Sequence, residues 1–257
     1  MRFRLAVLST FLLAAIPALA QQAPAQPKPK SQKEVDALKK VQADAQANNY
    51  DQEIQDINYT LENFADTEYK NMLLNMAMEA SQKKGDYPNT VAFGEKIIQS
   101  DPNDIMARVT LAQTIASHTR DTDLNKADSI KKIQDYANKA LELMKSNPPP
   151  PQGVDASQWP ALQKQLEGEA YDALGTAALV DKNYSKAVDQ YKLALAAFPN
   201  PIIWTHVGKA YLGAKQWDDA IGAADKVLAS PDASAPVKQI AQEQKDAATK
   251  MKGTASK

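Results

Sequence analysis

GEAYDALGTAALVDKNYSKAVDQYKLALAAFPN, residues 168–200, runs directly into PIIWTHVGKAYLGAKQWDDAIGAADKVLASP, residues 201–231. Adding 33 to a position in the first stretch lands, at most of the signature positions, on a matching residue type in the second. Tyr171 becomes Trp204, Leu174 becomes Val207 and Gly175 becomes Gly208. Tyr184 becomes Trp217, Ala187 becomes Ala220, and Tyr191 and Ala194 become Ala224 and Val227. Tyr211 stands at the place of Ala178, and Pro231 falls one short of the position matching Pro199. A period of this length marks one helix–turn–helix unit that hides its apolar face only by stacking on a neighbour. Glycine and alanine are expected where two helices press closest, since a larger side chain would hold the axes apart. Aromatic residues fill the wider gaps, and proline closes the second helix because it has no amide hydrogen to continue it.

Upstream the pattern is worn. Leu74, Ala77 and Met78 open a copy, Gly85, Asp86 and Tyr87 turn it, and Ile97, Ile98 and Pro102 close it. Tyr87 to Pro102 spans the same 15 positions as Tyr184 to Pro199. A further copy starts at Ile105 with Leu111 and Ala112, and its second helix, over 124–146, is lengthened. A degenerate opening pair over 31–63 keeps only Tyr50 and Leu61 in register. Residues 147–160, NPPPPQGVDASQWP, read as a loop that joins the two halves and can hinge them. An amphipathic stretch over 237–251 reads as a closing helix that shields the last apolar face.

The rest of the composition agrees. Alanine, lysine, glutamine, glutamate and leucine dominate, glycines are nine in all, and alternating β-branched runs are missing. The expected class is all-α. The domain plan is 1–20 signal peptide, 21–33 flexible linker, 34–146 N-terminal repeats (about three helix pairs), 147–160 loop, 161–235 C-terminal repeats (168–200 and 201–234) and 236–257 capping helix and tail. The signal peptide rests on Arg2 and Arg4, the apolar run 5–19 and the small-x-small end Ala18-Leu19-Ala20. The run is shorter than the ~20 residues of a spanning helix. Cleavage after Ala20 gives an exported chain, periplasmic or secreted, with no integral membrane segment. It takes away two arginines and no acid, so 30 basic residues become 28 against 31 acidic ones, a net charge of −3. That balance disfavours nucleic acid as a partner. Cysteine is absent, which rules out disulfides and a lipoprotein anchor.

No constellation for chemistry stands out. The two histidines, His118 and His206, sit in no zinc or nucleophile motif, and no glycine-rich phosphate loop occurs. The expectation is no enzyme, no metal and no cofactor. Asp121, Asp123, Asn125 and Asp128 imitate the start of a calcium loop, but Lys126 and Lys132 occupy its glycine and glutamate positions. The plainer expectation is that Asp123 caps the next helix. Met72, Met76, Met78 and Met106 suit either a binding face or, more simply, core gaps. The sequons at Asn58 and Asn183 would matter in a eukaryotic secretory pathway, and the second reads as accidental, since Tyr184 inside it is a packing residue.

The aromatic-x-x-Leu-Gly-x-x-Tyr spacing, with the alanine, aromatic and proline that follow, resembles the tetratricopeptide-repeat (TPR) family. The match is best in Trp204, Gly208, Tyr211, Trp217 and Ala220, good over 168–231, moderate over 71–104 and weak elsewhere. The chain also looks like exported repeat proteins of Gram-negative bacteria. The resemblance implies a right-handed superhelical solenoid of antiparallel helix pairs, with first helices lining a concave groove. It implies a protein-interaction scaffold or adaptor whose partners are polypeptides of the cell envelope, or alternatively a carrier of polysaccharide or small ligand. Carried over repeat by repeat, the groove-facing positions are Asn75, Glu79, Val109, Gln113, Asp172, Thr176, Thr205 and Lys209. The family's carboxylate clamp is not expected, since only Asn75 and Lys209 have the required chemistry.

Overall fold

The computed structural model describes residues 27–151 and 153–255. The signal-peptide reading of 1–20 and the first part of the linker lie outside the described residues. Within them are eleven α-helices and no strand: α1 Gln32–Ala47, α2 Tyr50–Asn63, α3 Lys70–Lys84, α4 Tyr87–Ser100, α5 Ile105–His118, α6 Lys126–Lys145, α7 Trp159–Val180, α8 Tyr184–Ala197, α9 Pro201–Gly213, α10 Trp217–Ala229 and α11 Ala235–Ala255. Each helix packs on its chain neighbours, and α5 on α7 and α9 on α11 as well. Five helix pairs therefore stack, and α11 lies on the last of them. No helix among the described residues is long and apolar enough to cross a membrane.

One turn recurs between the helices of a pair. A residue with positive φ precedes a polar residue and then the aromatic residue that starts the second helix. The copies are Asn48-Asn49-Tyr50, Gly85-Asp86-Tyr87, Lys182-Asn183-Tyr184 and Lys215-Gln216-Trp217, with φ of 55°, 71°, 59° and 59° at their first residues. The left-handed residue ends one helix and reverses the chain. Asp86 and Asn183 then cap the next helix by accepting the amides of Asn89 and Lys186. The opening pair α1–α2 shares this turn, so it is a repeat in geometry although its sequence is worn. The turn from α5 to α6 departs from the pattern. There Asp123 accepts the Arg120 amide at 2.8 Å, Asp121 faces Lys182 at 3.2 Å, and Asn125 stands at the helix start without a side-chain cap. Asp123 therefore pins a turn and does not cap α6.

Several boundaries differ from the sequence reading. Of the stretch read as linker, residues from Pro27 on are tied to the α2–α3 connection. Tyr69 OH donates to Pro27 O at 2.7 Å, the Lys28 amide to Glu68 at 3.0 Å, and Lys30 Nζ pairs with Asp66 at 2.8 Å. Ser31 caps α1, and the buried Glu34 accepts the Thr67 hydroxyl at 2.6 Å. The larger difference is α7, which begins at Trp159 and not near residue 168. Pro160 sits in its first turn, where a missing amide hydrogen costs nothing. Trp159 is 4% exposed and donates from Nε1 to Pro148 O at 2.8 Å. It joins Ile105, Val109, Ile133, Ala137 and Leu166 in one core drawn from α5, α6 and α7. Apolar packing thus continues across the proline loop, which does not divide the molecule into two bodies.

Gly94, Gly168, Gly175, Gly208 and Gly213 mark close approaches. A Cβ built on Gly175 would overlap the ring of Tyr191 on the partner helix α8, as the repeat logic requires. Gly208 behaves differently. The residue facing it on α10 is Ala223, at 3.8 Å from such a Cβ, and not Ala220, and the tighter neighbour is Gln244 Oε1 of α11 at 2.6 Å. Gly208→Leu is expected to cost about 1–3 kcal/mol through overpacking, against a propensity gain of roughly half a kcal/mol or more. The loosening should begin in α11, visible as faster hydrogen exchange over 235–255 with 70–100 unchanged. An unchanged or higher stability would refute the packing described for α9.

Candidate functional groove

The first helices α3, α5, α7 and α9 follow one another along one side of the stack. Residues three and four apart share a helix face, so each presents a strip: Asn75, Glu79 and Gln82 on α3, Gln113 and Ser117 on α5, Glu169, Asp172 and Thr176 on α7, and His206 and Lys209 on α9. Between the strips lies an open cavity of about 340 Å³, lined among others by Gln82, Gln113, Ser117, Asp172, Thr176 and His206.

Of the eight positions carried over from the resemblance, Gln113, Asp172 and Thr176 line this cavity. Asn75 and Glu79 sit farther along α3. Asn75 donates to Asn71 O at 2.9 Å, and the exposed Glu79 pairs with Lys83 at 2.7 Å. Lys209 is exposed on the next turn of α9 from His206. Two positions are corrected. Val109 is 1% exposed and belongs to the core under the lengthened α7. Thr205 is 5% exposed, its hydroxyl donates to Ile202 O at 2.6 Å, and its carbonyl accepts Gln244 Nε2 of α11 at 2.9 Å. In both cases a helix whose placement a single repeat does not encode covers the position.

Sequence reasoning missed His206, Gln82 and Ser117. His206 Nδ1 lies 2.7 Å from Asp172 Oδ1, and its ring leans on Tyr191 with centroids 5.6 Å apart. This contact ties the first helices of two successive repeats across the groove floor. Asp172 and His206 are 34 residues apart, one repeat, and that spacing was the available signal. Gln82 and Ser117 merely continue the strips of Glu79 and Gln113 by one helical turn. Thr176 Oγ1 and Tyr191 OH meet at 3.2 Å, and Gln113 Nε2 donates to Glu169 O at 3.4 Å. Burial first, with the Thr176 bond acting the other way and the Asp172 charge adding to it, pushes the Tyr191 phenol above its usual range.

Glu169 stands one turn before Asp172 on α7, outside the residues that line the cavity, and its carboxyl is perturbed. Burial raises its carboxyl above the ordinary 4.5, the Gln165 hydrogen bond opposes this, and the neighbouring Asp172 adds to it. A raised folded value means that the folded chain holds this proton more tightly than the unfolded chain does. The stabilising contribution is therefore complete below the ordinary carboxylate range and is lost as pH rises through the raised value. Glu169→Gln is expected to raise the urea midpoint over the parent at pH 7–8, with the advantage shrinking as pH falls toward 4.5. Paired urea titrations across that range test it. A pH-independent offset would show that the carboxyl is not the source.

A stack of antiparallel helix pairs whose first helices line a groove defines a helical repeat solenoid. It has the fold of the tetratricopeptide-repeat proteins, and solved structures bear this out. TTC0263, a thermophilic TPR protein of Thermus thermophilus, superposes with a TM-score of 0.55 at 14% identity, covering 82% of this chain and 98% of its own. A MamA protein gives 0.56 at 16% identity over 77% of this chain and 91% of its own. The 41-end form of MamA from Desulfovibrio magneticus gives 0.54 at 16% over 84% and 99%. No family profile matches the sequence, and no curated protein matches it.

Proposed function

We propose that this chain is a non-catalytic scaffold of the cell envelope that holds a segment of a partner polypeptide in its groove. The observation that carries the reading is the cavity to which α3, α5, α7 and α9, the first helices of four successive pairs, each contribute polar side chains. Amide, hydroxyl, carboxylate and imidazole groups along one strip suit a peptide, which offers alternating donors and acceptors along its backbone. A polysaccharide carrier would call for aromatic faces, and the residues lining the cavity include no Trp, Tyr or Phe. Nor does the His206–Asp172 pair point to catalysis, since it bridges two helices and the nearby Thr176 hydroxyl is engaged by Tyr191.

Location rests on the sequence: the basic start, apolar run and Ala18-Leu19-Ala20 support export with cleavage after Ala20. N-terminal sequencing of the mature chain should begin at Gln21, and a mature chain retaining 5–19 would end the soluble-envelope reading. For the groove, a photoreactive amino acid placed at Thr176 or Gln113 should yield polypeptide adducts in envelope extracts. The same group at the exposed Lys192 of α8 should not. Adducts at Lys192 but none at the groove positions would contradict the proposal.

A further inference from the structure

The cavity floor is short of positive charge. Asp172 has a side chain only 16% exposed, and its ionic partner is a histidine, which is charged only when protonated. Glu169 lies one turn back on the same face of α7, and Asp172 and Gln165 are the side chains that bear on its carboxyl, with no lysine or arginine among them. Glu169 itself is not part of the cavity lining, in which Asp172 is the one carboxylate; apart from Asp172 and His206 the polar lining is uncharged: Gln82, Gln113, Thr114, Ser117 and Thr176. Lys209 is the ammonium on the α9 strip, and it stands exposed outside the cavity lining. Acceptors also outnumber free donors. Asp172 Oδ1 faces His206 Nδ1, so Oδ2 and, with Nδ1 protonated, Nε2 of His206 are left to accept. Gln113 gives one of its two amide hydrogens to Glu169 O and keeps the other together with its oxygen. A half-enclosed cavity of one sign concentrates counter-charge, and charged hydrogen bonds there are stronger than at an open surface.

We propose that the cavity between α5, α7 and α9 selects a lysine or arginine side chain of the bound segment, with Asp172 as the residue that pairs with it. This rests on the groove reading above and narrows it to partners with a basic residue. A cation would relieve the Glu169–Asp172 repulsion, fill the vacant acceptors and leave Tyr191 and Thr176 to hold the wall.

The test uses the full mature chain and four acetylated, amidated peptides of Ser-Gly-Ala background. They differ only in a central lysine, arginine, norleucine or glutamate, and resonances of Thr176 and His206 report binding. The lysine and arginine peptides should bind about tenfold more tightly than the norleucine and glutamate ones, the difference expected for one charge-assisted hydrogen bond. Asp172→Asn should abolish the preference, and Asp172→Glu should restore part of it. Because Asp172→Asn also loosens the tie to His206, Glu169→Gln provides a second variant, which should weaken the preference without touching that tie. Equal binding of all four, a preference for glutamate, or no shift with any peptide at millimolar concentration overturns the inference. Groove adducts at Thr176 would still stand in that case, whereas their absence would remove the scaffold reading itself.

Discussion

Trp159→Ala is expected to cost about 3–5 kcal/mol, the range for deleting a buried aromatic side chain. Trp159 is nearly sealed in the core of α5, α6 and α7, and its indole hydrogen is the partner of Pro148 O. Truncation would leave a cavity beneath the proline loop and an unanswered carbonyl above it. Trp159→Phe should cost less, about 1–2 kcal/mol, since it keeps most of the ring volume and loses chiefly the hydrogen bond. Hydrogen exchange gives the sharper check. Helices α5, α6 and α7 should loosen together, because one core joins them. Loosening confined to 147–158 would mean that the loop is a hinge after all.

Gly175→Ala and Gly222→Ala should move stability in opposite directions, although the chemical change is identical. Both glycines lie inside helices, and on propensity alone each substitution should gain about 1 kcal/mol. Gly222 is exposed on α10 with nothing near the added methyl, so it should realise most of that gain. At Gly175 the methyl meets the ring of Tyr191, which is fully buried and bonded to Thr176 and has nowhere to move. Overpacking there costs about 1–3 kcal/mol or more, enough to reverse the sign. Thermal or urea unfolding of the two variants decides it, and a stabilised Gly175→Ala would mean that α7 and α8 do not cross there. Gly213, whose added methyl would meet Tyr184, belongs to the same class and was not legible from the repeat pattern.

What could be read from the sequence was whatever repeats. Tyr184 and Trp217, and Ala187 and Ala220, recur at one spacing because each pair must solve the same packing problem; Gly175 and Gly208 recur as well, but only Gly175 presses on its own partner helix, while Gly208 presses on α11. What escaped was set by neighbours that do not recur. The lengthened start of α7 hid behind a proline tract, and Pro160 was read as the end of the loop although it occupies the first helical turn, which tolerates it. That extension buries Val109, and α11 buries Thr205 and supplies the side chain that faces Gly208. His206 drew notice only as a catalytic candidate, because the carboxylate it meets lies on another repeat. A groove is a property of the stack, so its lining is fixed only when every helix on it has been placed.

Among the described residues the main helix packing joins helices one or two places apart, and this has a kinetic consequence. That packing does not wait for distant parts of the chain to find each other, so the loop-closure entropy to be overcome before it begins is small. Low contact order of this kind goes with folding in microseconds to milliseconds, and any pair can serve as the seed from which order spreads outward. Pulled from its two ends, such a chain should give way pair by pair in a sawtooth of small steps. The α5–α7 block, with its shared core around Trp159, should be the last to yield.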